Sequence, residues 1–236
     1  MPRDTAEMFN LLRNNPLMSP FILIGGTGLA LHIGHRRSED LDFVTLQKRL
    51  PRAVLKKIED DLRAAGHQVV QTVDAGASDD FENAGMDIND YTQNLLVDGV
   101  VKLTFFTADA HHENLLKENE DKGGEGFRIA SLNELSQLKA IVVASRAKSR
   151  DWVDLFLLER DHQFGLQQWK EAYDKAGYTD VHFEMALKRI CDGKIRDDDE
   201  GYSALMPDPP SVEKIALRFK ELQKAYEVSS ATKLRK

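Results

Sequence analysis

The chain has one cysteine, Cys191, so no intrachain disulfide can form, and a reducing cytoplasm is the expected setting. Long apolar runs are missing as well. The longest, such as Ala140 to Ala144, fall far short of the roughly 20 residues that a bilayer crossing needs, which argues against a membrane protein. The opening residues Met1 to Glu7 lack the basic-then-apolar layout of a secretory leader. There is no surplus of positive charge: 39 acidic residues against 32 basic ones give a net charge of -7, which argues against a generally basic coat for nucleic acid. One local basic group, Lys139, Arg146, Lys148 and Arg150, remains as a place to hold RNA. His111-His112 is the only adjacent histidine pair and has no further ligands at zinc spacing, so zinc is not expected. No internal repeat or heptad run is present. What the chain does have is length and apolar content: 236 residues, 42% hydrophobic, can bury a sizeable core in one large domain or two smaller ones.

The most informative residues lie between positions 21 and 43. Phe21 to Ile24 has the pattern of a short buried strand, and Gly25-Gly26-Thr27 follows it directly. Glycines allow the tight backbone that exposes bare amide groups at a helix start, an end that favours phosphate. After twelve residues comes Asp40-Leu41-Asp42-Phe43. On a strand, residues two apart share a face, so both carboxylates project together while Leu41 and Phe43 fill the other side. Two such oxygen donors suit Mg²⁺, which is usually held by one or two carboxylates plus the substrate's phosphates.

Further along, Pro51 to Ala65 has the spacing of an amphipathic helix, and a strand is expected at 68–73. The polar, acidic stretch 74–90 reads as a loop. Thr92 to Val97 and Val100 to Phe106 flank Asp98-Gly99, a strong hairpin signal, and imply a mixed sheet. From Ser131 the pattern turns helical, opening on the capping-box residues Ser131-Leu132-Asn133-Glu134, so the chain divides by sequence into residues 1–130 and 131–236. Lys139 lies mid-helix at the edge of the apolar face, and snorkelling to solvent is its alternative to a functional role. Asp151 and Asp154 share overlapping faces of a helix over 150–159, where Asp151 can meet the helix dipole and Asp154 can pair with Arg150. Helices are expected over 166–176, 181–190 and 211–226, with a charged link at 192–201 and a frayed basic tail from Ser229.

The ungapped segment Gly25 to Phe43 closely resembles the first motif of the AbiEii/AbiGii toxin family within the DNA polymerase β-like nucleotidyltransferase superfamily. Lys139, followed by Ser149-Arg150-Asp151-Trp152-Val153-Asp154-Leu155-Phe156, is similar to that family's later lysine and aspartate motifs. The resemblance implies an α+β, polymerase β-like fold: a mixed sheet flanked by helices in 1–130, with a helical part over 131–236 completing the active site. It implies an NTP substrate, Mg²⁺ or alternatively Mn²⁺ on Asp40 and Asp42, phosphates on Gly25, Gly26 and Thr27, and Lys139 against the leaving group. Either Asp151 or Asp154 closes over the site. The reaction implied is transfer of NMP to RNA, particularly tRNA, by the toxin of a toxin–antitoxin pair whose antitoxin is encoded elsewhere. A small-molecule acceptor such as an aminoglycoside, or a protein hydroxyl, is the enzymatic alternative, and a catalytically silent nucleotide- or protein-binding module is the other.

One departure from the superfamily is visible. Its members commonly carry a third carboxylate on the strand beside Asp-x-Asp, whereas Val101 to Phe106 offers Thr104. A threonine hydroxyl cannot act as a carboxylate base at neutral pH. Another acid such as Asp98 or Asp151 reaches in, or a second metal is dispensable, or transfer has been lost.

Overall fold

The computed structural model describes residues 1–72, 75–117 and 126–233. It divides into two compact units, Met1–Asp109 with Asn119–Ser131, and Ala110–Glu118 with Leu132–Lys236. Among the described residues no helix is long and apolar enough to cross a membrane.

The first unit contains helices α1 (Arg3–Arg13), α2 (Gly25–Ile33), α3 (Arg52–Ala64) and α4 (Ala75–Asn83), and strands β1 (Ile22–Ile24), β2 (Leu41–Thr45), β3 (Val69–Thr72), β4 (Thr92–Val97), β5 (Val101–Thr107) and β6 (Arg128–Ile129). The six strands form one mixed sheet in the order β3-β4-β5-β2-β1-β6. β2 runs parallel to β5 at its centre and antiparallel to β1. Alternation decides what each face carries. Leu41, Phe43, Leu95, Val97, Leu103 and Phe105 point into the core with Met8, Phe9 and Leu12 of α1 and Leu55, Ile58 and Leu62 of α3. A chain of phenylalanines runs through it: Phe21 meets Phe105 edge-on at 5.1 Å, Phe105 stacks on Phe43 at 5.2 Å, and Phe127 links Phe43 to Phe9. On the opposite face of β3 to β5, Val70 and Lys102 are exposed and Asn94, Leu96 and Thr104 half-buried.

The hairpin forms as its sequence requires. Asp98 and Gly99 both have positive φ, 54° and 69°, in the turn between the paired residues Val97 and Val101, a backbone that aspartate and glycine tolerate better than other residues. The expected loop over 74–90 is instead largely ordered: α4 occupies Ala75–Asn83, and Phe81 packs its ring 5.5 Å from Tyr91. One aromatic anchor stabilises a helix whose polar composition concealed it. Val73 and Asp74 lie outside the described residues.

The second unit is all helical: α5 (Ala110–Leu116), α6 (Leu132–Val142), α7 (Ser149–His162), α8 (Leu166–Ala176), α9 (Asp180–Asp192) and α10 (Val212–Lys233). Trp152, Leu155, Trp169, Tyr173 and Phe219 are fully buried, with Trp169 5.0 Å from Phe219. The tail is helical as far as Lys233, further than the frayed reading from Ser229 allows. No proline or glycine interrupts it, and the Thr232 hydroxyl donates to the Val228 carbonyl at 2.8 Å. Leu234 to Lys236 lie outside the described residues.

Adjacent residues on β5 test the assignment of faces. Phe105→Ala removes a fully buried ring and is expected to cost about 3–5 kcal/mol, whereas Thr104→Val on the open face stays within about 0.5 kcal/mol. Urea unfolding midpoints check both, and equal losses would overturn the assignment.

Candidate active site

In the first unit the site is built where β1 turns into α2. Ile24, the last residue of β1, pairs with Asp42 of β2, and Gly25 begins the helix immediately after it. Gly25 has φ +71°, and an added Cβ would collide with the Asp42 carboxylate, whose Cγ lies 3.2 Å from that position. Gly26 is equally confined: a Cβ there would sit 2.6 Å from Arg36 Nη2 and 3.1 Å from Ser38 Oγ. The first-turn amides of α2 have no partner within the helix, and the helix dipole adds partial positive charge. The two glycines therefore let a carboxylate and a guanidinium lie directly against that first turn.

Thr27 follows in the same first turn of α2. It is buried, and its hydroxyl donates to the backbone carbonyl of Asp40 and lies 2.8 Å from Ser38 Oγ. That side chain ties the first turn of α2 to the start of β2.

β2 begins at Leu41, so Asp42 is a strand residue and Asp40 stands one position before it. Leu41 and Phe43 are fully buried, Asp42 is half-buried and Asp40 exposed, as alternation requires. Among the described residues no third histidine, cysteine, aspartate or glutamate joins them in a metal-binding group. A two-carboxylate donor set fits a hard cation that keeps its waters and shares substrate phosphates, and does not fit a closed all-protein cage.

Across the sheet, Asp42 is aligned with Thr104 of the parallel strand β5, and Thr104 with Asn94 of β4. The level at which a third carboxylate would stand thus carries a hydroxyl and then an amide. Asp98 does not substitute. It lies in the hairpin turn beyond Val101, at least about 10 Å along the strand from Thr104. There it accepts from the Gln68 backbone N–H at 2.8 Å and lies 2.7 Å from His67 Nδ1.

In the second unit, Lys139 Nζ lies 2.7 Å from Asp151 Oδ1 and 2.8 Å from Asp154 Oδ2. All three are buried: Lys139 is 7% exposed, Asp151 1% and Asp154 0%. The snorkelling alternative therefore fails, since the ammonium is held inside by two carboxylates. Arg146 adds hydrogen bonds from Nε to Asp151 Oδ2 at 2.8 Å and from Nη2 to Oδ1 at 3.1 Å, with about half its side chain exposed. Burial pushes the Asp151 carboxyl up, but the Lys139 charge and Arg146 outweigh it and hold it below the ordinary carboxylate range. Arg150, the alternative partner for Asp154, pairs with Glu200 at 2.9 Å and donates to the Gly201 carbonyl. The basic group in the sequence is thus split between this cluster and a loop.

Two residues at these sites escape a reading of the sequence. Arg36 sits in the run His35-Arg36-Arg37, and nothing local says which arginine folds back onto Gly26. Asp199 lies in the charged link and reaches Ser149, fifty residues away.

Two substitutions test this geometry. Gly25→Ala adds a Cβ at positive φ against Asp42, so loss of metal-dependent nucleotide binding is expected with little change in the far-UV spectrum. Unaltered binding by calorimetry would refute the cradle. Lys139→Met leaves Asp151 and Asp154 buried without their ammonium and is expected to cost about 3–5 kcal/mol near neutral pH. The sign follows from Asp151: a folded pKa below the unfolded value of about 3.9 stabilises above that pH and is lost as pH falls through the folded value. That window lies below about pH 3.9, so urea unfolding at pH 7 and about pH 2.5 is expected to show the Met deficit shrinking in acid, and a deficit independent of pH would count against the ion cluster.

A family model described as nucleotidyl transferase AbiEii toxin, type IV toxin–antitoxin system, matches residues 8–226. An uncharacterized protein of Aquifex aeolicus (strain VF5) is 26% identical over 191 residues, covering 80% of this chain and 82% of its own. The crystal structure of JHP933 from Helicobacter pylori is 20% identical, with a TM-score of 0.50 over 98% of this chain and 97% of that one. MenT4, a nucleotidyltransferase toxin from Mycobacterium tuberculosis H37Rv, is 15% identical, with a TM-score of 0.50 over 93% and 84%. At those identities the two structures speak for the fold, which is that of nucleotidyltransferases: a mixed sheet with flanking helices. Because the family match spans both the Gly25–Asp42 segment and the Lys139 cluster, the chain belongs to the AbiEii nucleotidyl transferase toxin family and is a nucleotidyltransferase.

Proposed function

We propose that the protein is the toxin of a toxin–antitoxin or abortive-infection system, transferring NMP from an NTP to an RNA acceptor, with tRNA the favoured substrate, in the cytoplasm. The reading rests above all on Asp42, which lies against the helix-opening Gly25 while its neighbours Leu41 and Phe43 anchor the strand in the core. Asp40 and Asp42 would hold Mg²⁺, with Mn²⁺ as the alternative, and the ion would neutralise phosphate charge. Residues 1–130 would then act as the nucleotidyltransferase core and residues 131–236 as the part that completes the active site.

The chain's own groups do the positioning. The amides of Gly25, Gly26 and Thr27 receive phosphate oxygens, and Arg36 beside Gly26 adds a cation that holds the polyphosphate in one orientation. The acceptor hydroxyl oxygen forms a bond to the α-phosphorus, the bond to the β-phosphate oxygen breaks, and pyrophosphate leaves while the hydroxyl proton passes to solvent. Lys139, held by Asp151 and Asp154, is assigned to the charge that builds on the departing pyrophosphate. A cognate antitoxin encoded elsewhere would counter the toxin.

A second reading is favoured by one observation. Thr104 occupies the level beside Asp42, so no carboxylate there can take the acceptor's proton. On that ground a silent, nucleotide-binding module is the competitor. Incubation with labelled NTPs and total cellular RNA separates the two: labelled RNA supports transfer, and metal-dependent NTP binding without product supports the silent module. Asp40→Asn with Asp42→Asn is expected to abolish metal-dependent NTP binding and growth inhibition while leaving the fold intact, since asparagine keeps the size of each side chain and Leu41 and Phe43 still anchor the strand. Undiminished toxicity of that double variant would remove the site from the reaction.

A further inference from the structure

The Lys139 cluster hangs on a bend. α6 carries Lys139 and ends at Val142, α7 carries Asp151 and Asp154 and begins at Ser149, and residues 143–148 join them. A buried ion cluster works only if its members are placed to within a fraction of an ångström, so the bend has to be fixed. Short connections between helices leave carbonyls at one end and amides at the other without helical partners.

Here those groups are satisfied by side chains from far along the chain. At the end of α6, the Tyr173 hydroxyl of α8 donates to the Ala140 carbonyl at 2.8 Å. Arg189 of α9 donates from Nη1 to the Val143 carbonyl at 2.9 Å and to that of Ala144 at 2.6 Å. At the start of α7, Asp199 Oδ2 accepts from the Ser149 backbone N–H at 2.8 Å, and Oδ1 accepts from the Ser149 hydroxyl at 2.5 Å and from the Gly201 N–H at 2.8 Å. Arg150 then fastens the same link by donating to the Gly201 carbonyl and pairing with Glu200. The signs match the dipoles: a cation caps the carbonyl end of α6 and an anion the amide end of α7. Burial pushes the Asp199 carboxyl up, but the hydrogen bonds from Ser149 and Gly201 hold it below its ordinary value, so it is charged at neutral pH.

We infer that Asp199 and Arg189 are positioning residues for the Lys139–Asp151–Asp154 cluster, with Asp199 acting through Ser149 to set where α7 begins and therefore where both carboxylates stand. This assigns a purpose to the charged link at 192–201, whose composition suggests only a connection. For catalysis it rests on the proposed role of Lys139; for geometry it does not.

The test uses the full chain. Asp199→Ala and Asp199→Asn are compared with the unaltered protein for folding, for transfer from labelled NTP to cellular RNA, and for acetic-anhydride labelling of Lys139, read by mass spectrometry against exposed Lys102. Asp199→Ala is expected to remain folded, to lower kcat by about 10- to 100-fold with KM for NTP within about threefold, and to raise Lys139 labelling several-fold. Asp199→Asn, which can still accept from Ser149, is expected to recover most of both. A folded Ala variant with unchanged Lys139 labelling overturns the inference. If Ala does not fold, Ser149→Ala, which removes the hydroxyl donor to Asp199, replaces it: Lys139 labelling above that of the unaltered protein supports the inference, and unchanged labelling opposes it. If the unaltered protein transfers nothing, the proposed reaction fails, while the labelling comparison still decides the positioning role.

Discussion

The period-two alternation of β2 is the constraint on which the first unit depends. A strand can give only every second side chain to a core, and in β2 the core takes Leu41 and Phe43, both fully buried. Asp42 is thereby forced to the other face, and its neighbours are then fixed by register alone: Ile24 on one side, followed by Gly25, and Thr104 on the other. A slip of one residue would bring the Asp42 carboxylate onto the core face and take Leu41 and Phe43 off it, so apolar packing indirectly fixes where that carboxylate stands.

The second unit solves a different problem. Taking a lysine and two aspartates out of water is costly, and their attraction repays it only with close geometry and full pairing. Lys139 meets both carboxylates within 2.8 Å, and Arg146 brings the cluster's formal charges to two of each sign. Such a cluster tolerates little displacement. That explains why the bend between α6 and α7 draws on Tyr173, Arg189 and Asp199 from three later segments.

Thr104 gives the chemistry its particular shape. Beside Asp42 the row carries the Thr104 hydroxyl and then the Asn94 amide, which can hydrogen-bond but add no second carboxylate. The proposed reaction would then lean on orientation and on electrostatics at the phosphates more than on a general base.

Much of this was legible in the sequence, because local rules govern it. Asp98-Gly99 specifies its hairpin through backbone preference, the spacing in Pro51 to Ala65 specifies α3, and Gly25-Gly26 with Asp40 and Asp42 marks the turn and the acidic strand within one short segment. What the sequence concealed depends on pairings between distant residues. The burial of Lys139, the capture of Arg150 by Glu200 instead of Asp154, the return of Arg36 onto Gly26 and the reach of Asp199 to Ser149 are set by which helices and loops pack together. α4 belongs with them, since Phe81 becomes an anchor only when Tyr91 is brought beside it. Residue type and spacing determined which groups could do chemistry; only tertiary packing decided their partners, because a charge chooses its neighbour by distance in space and not along the chain.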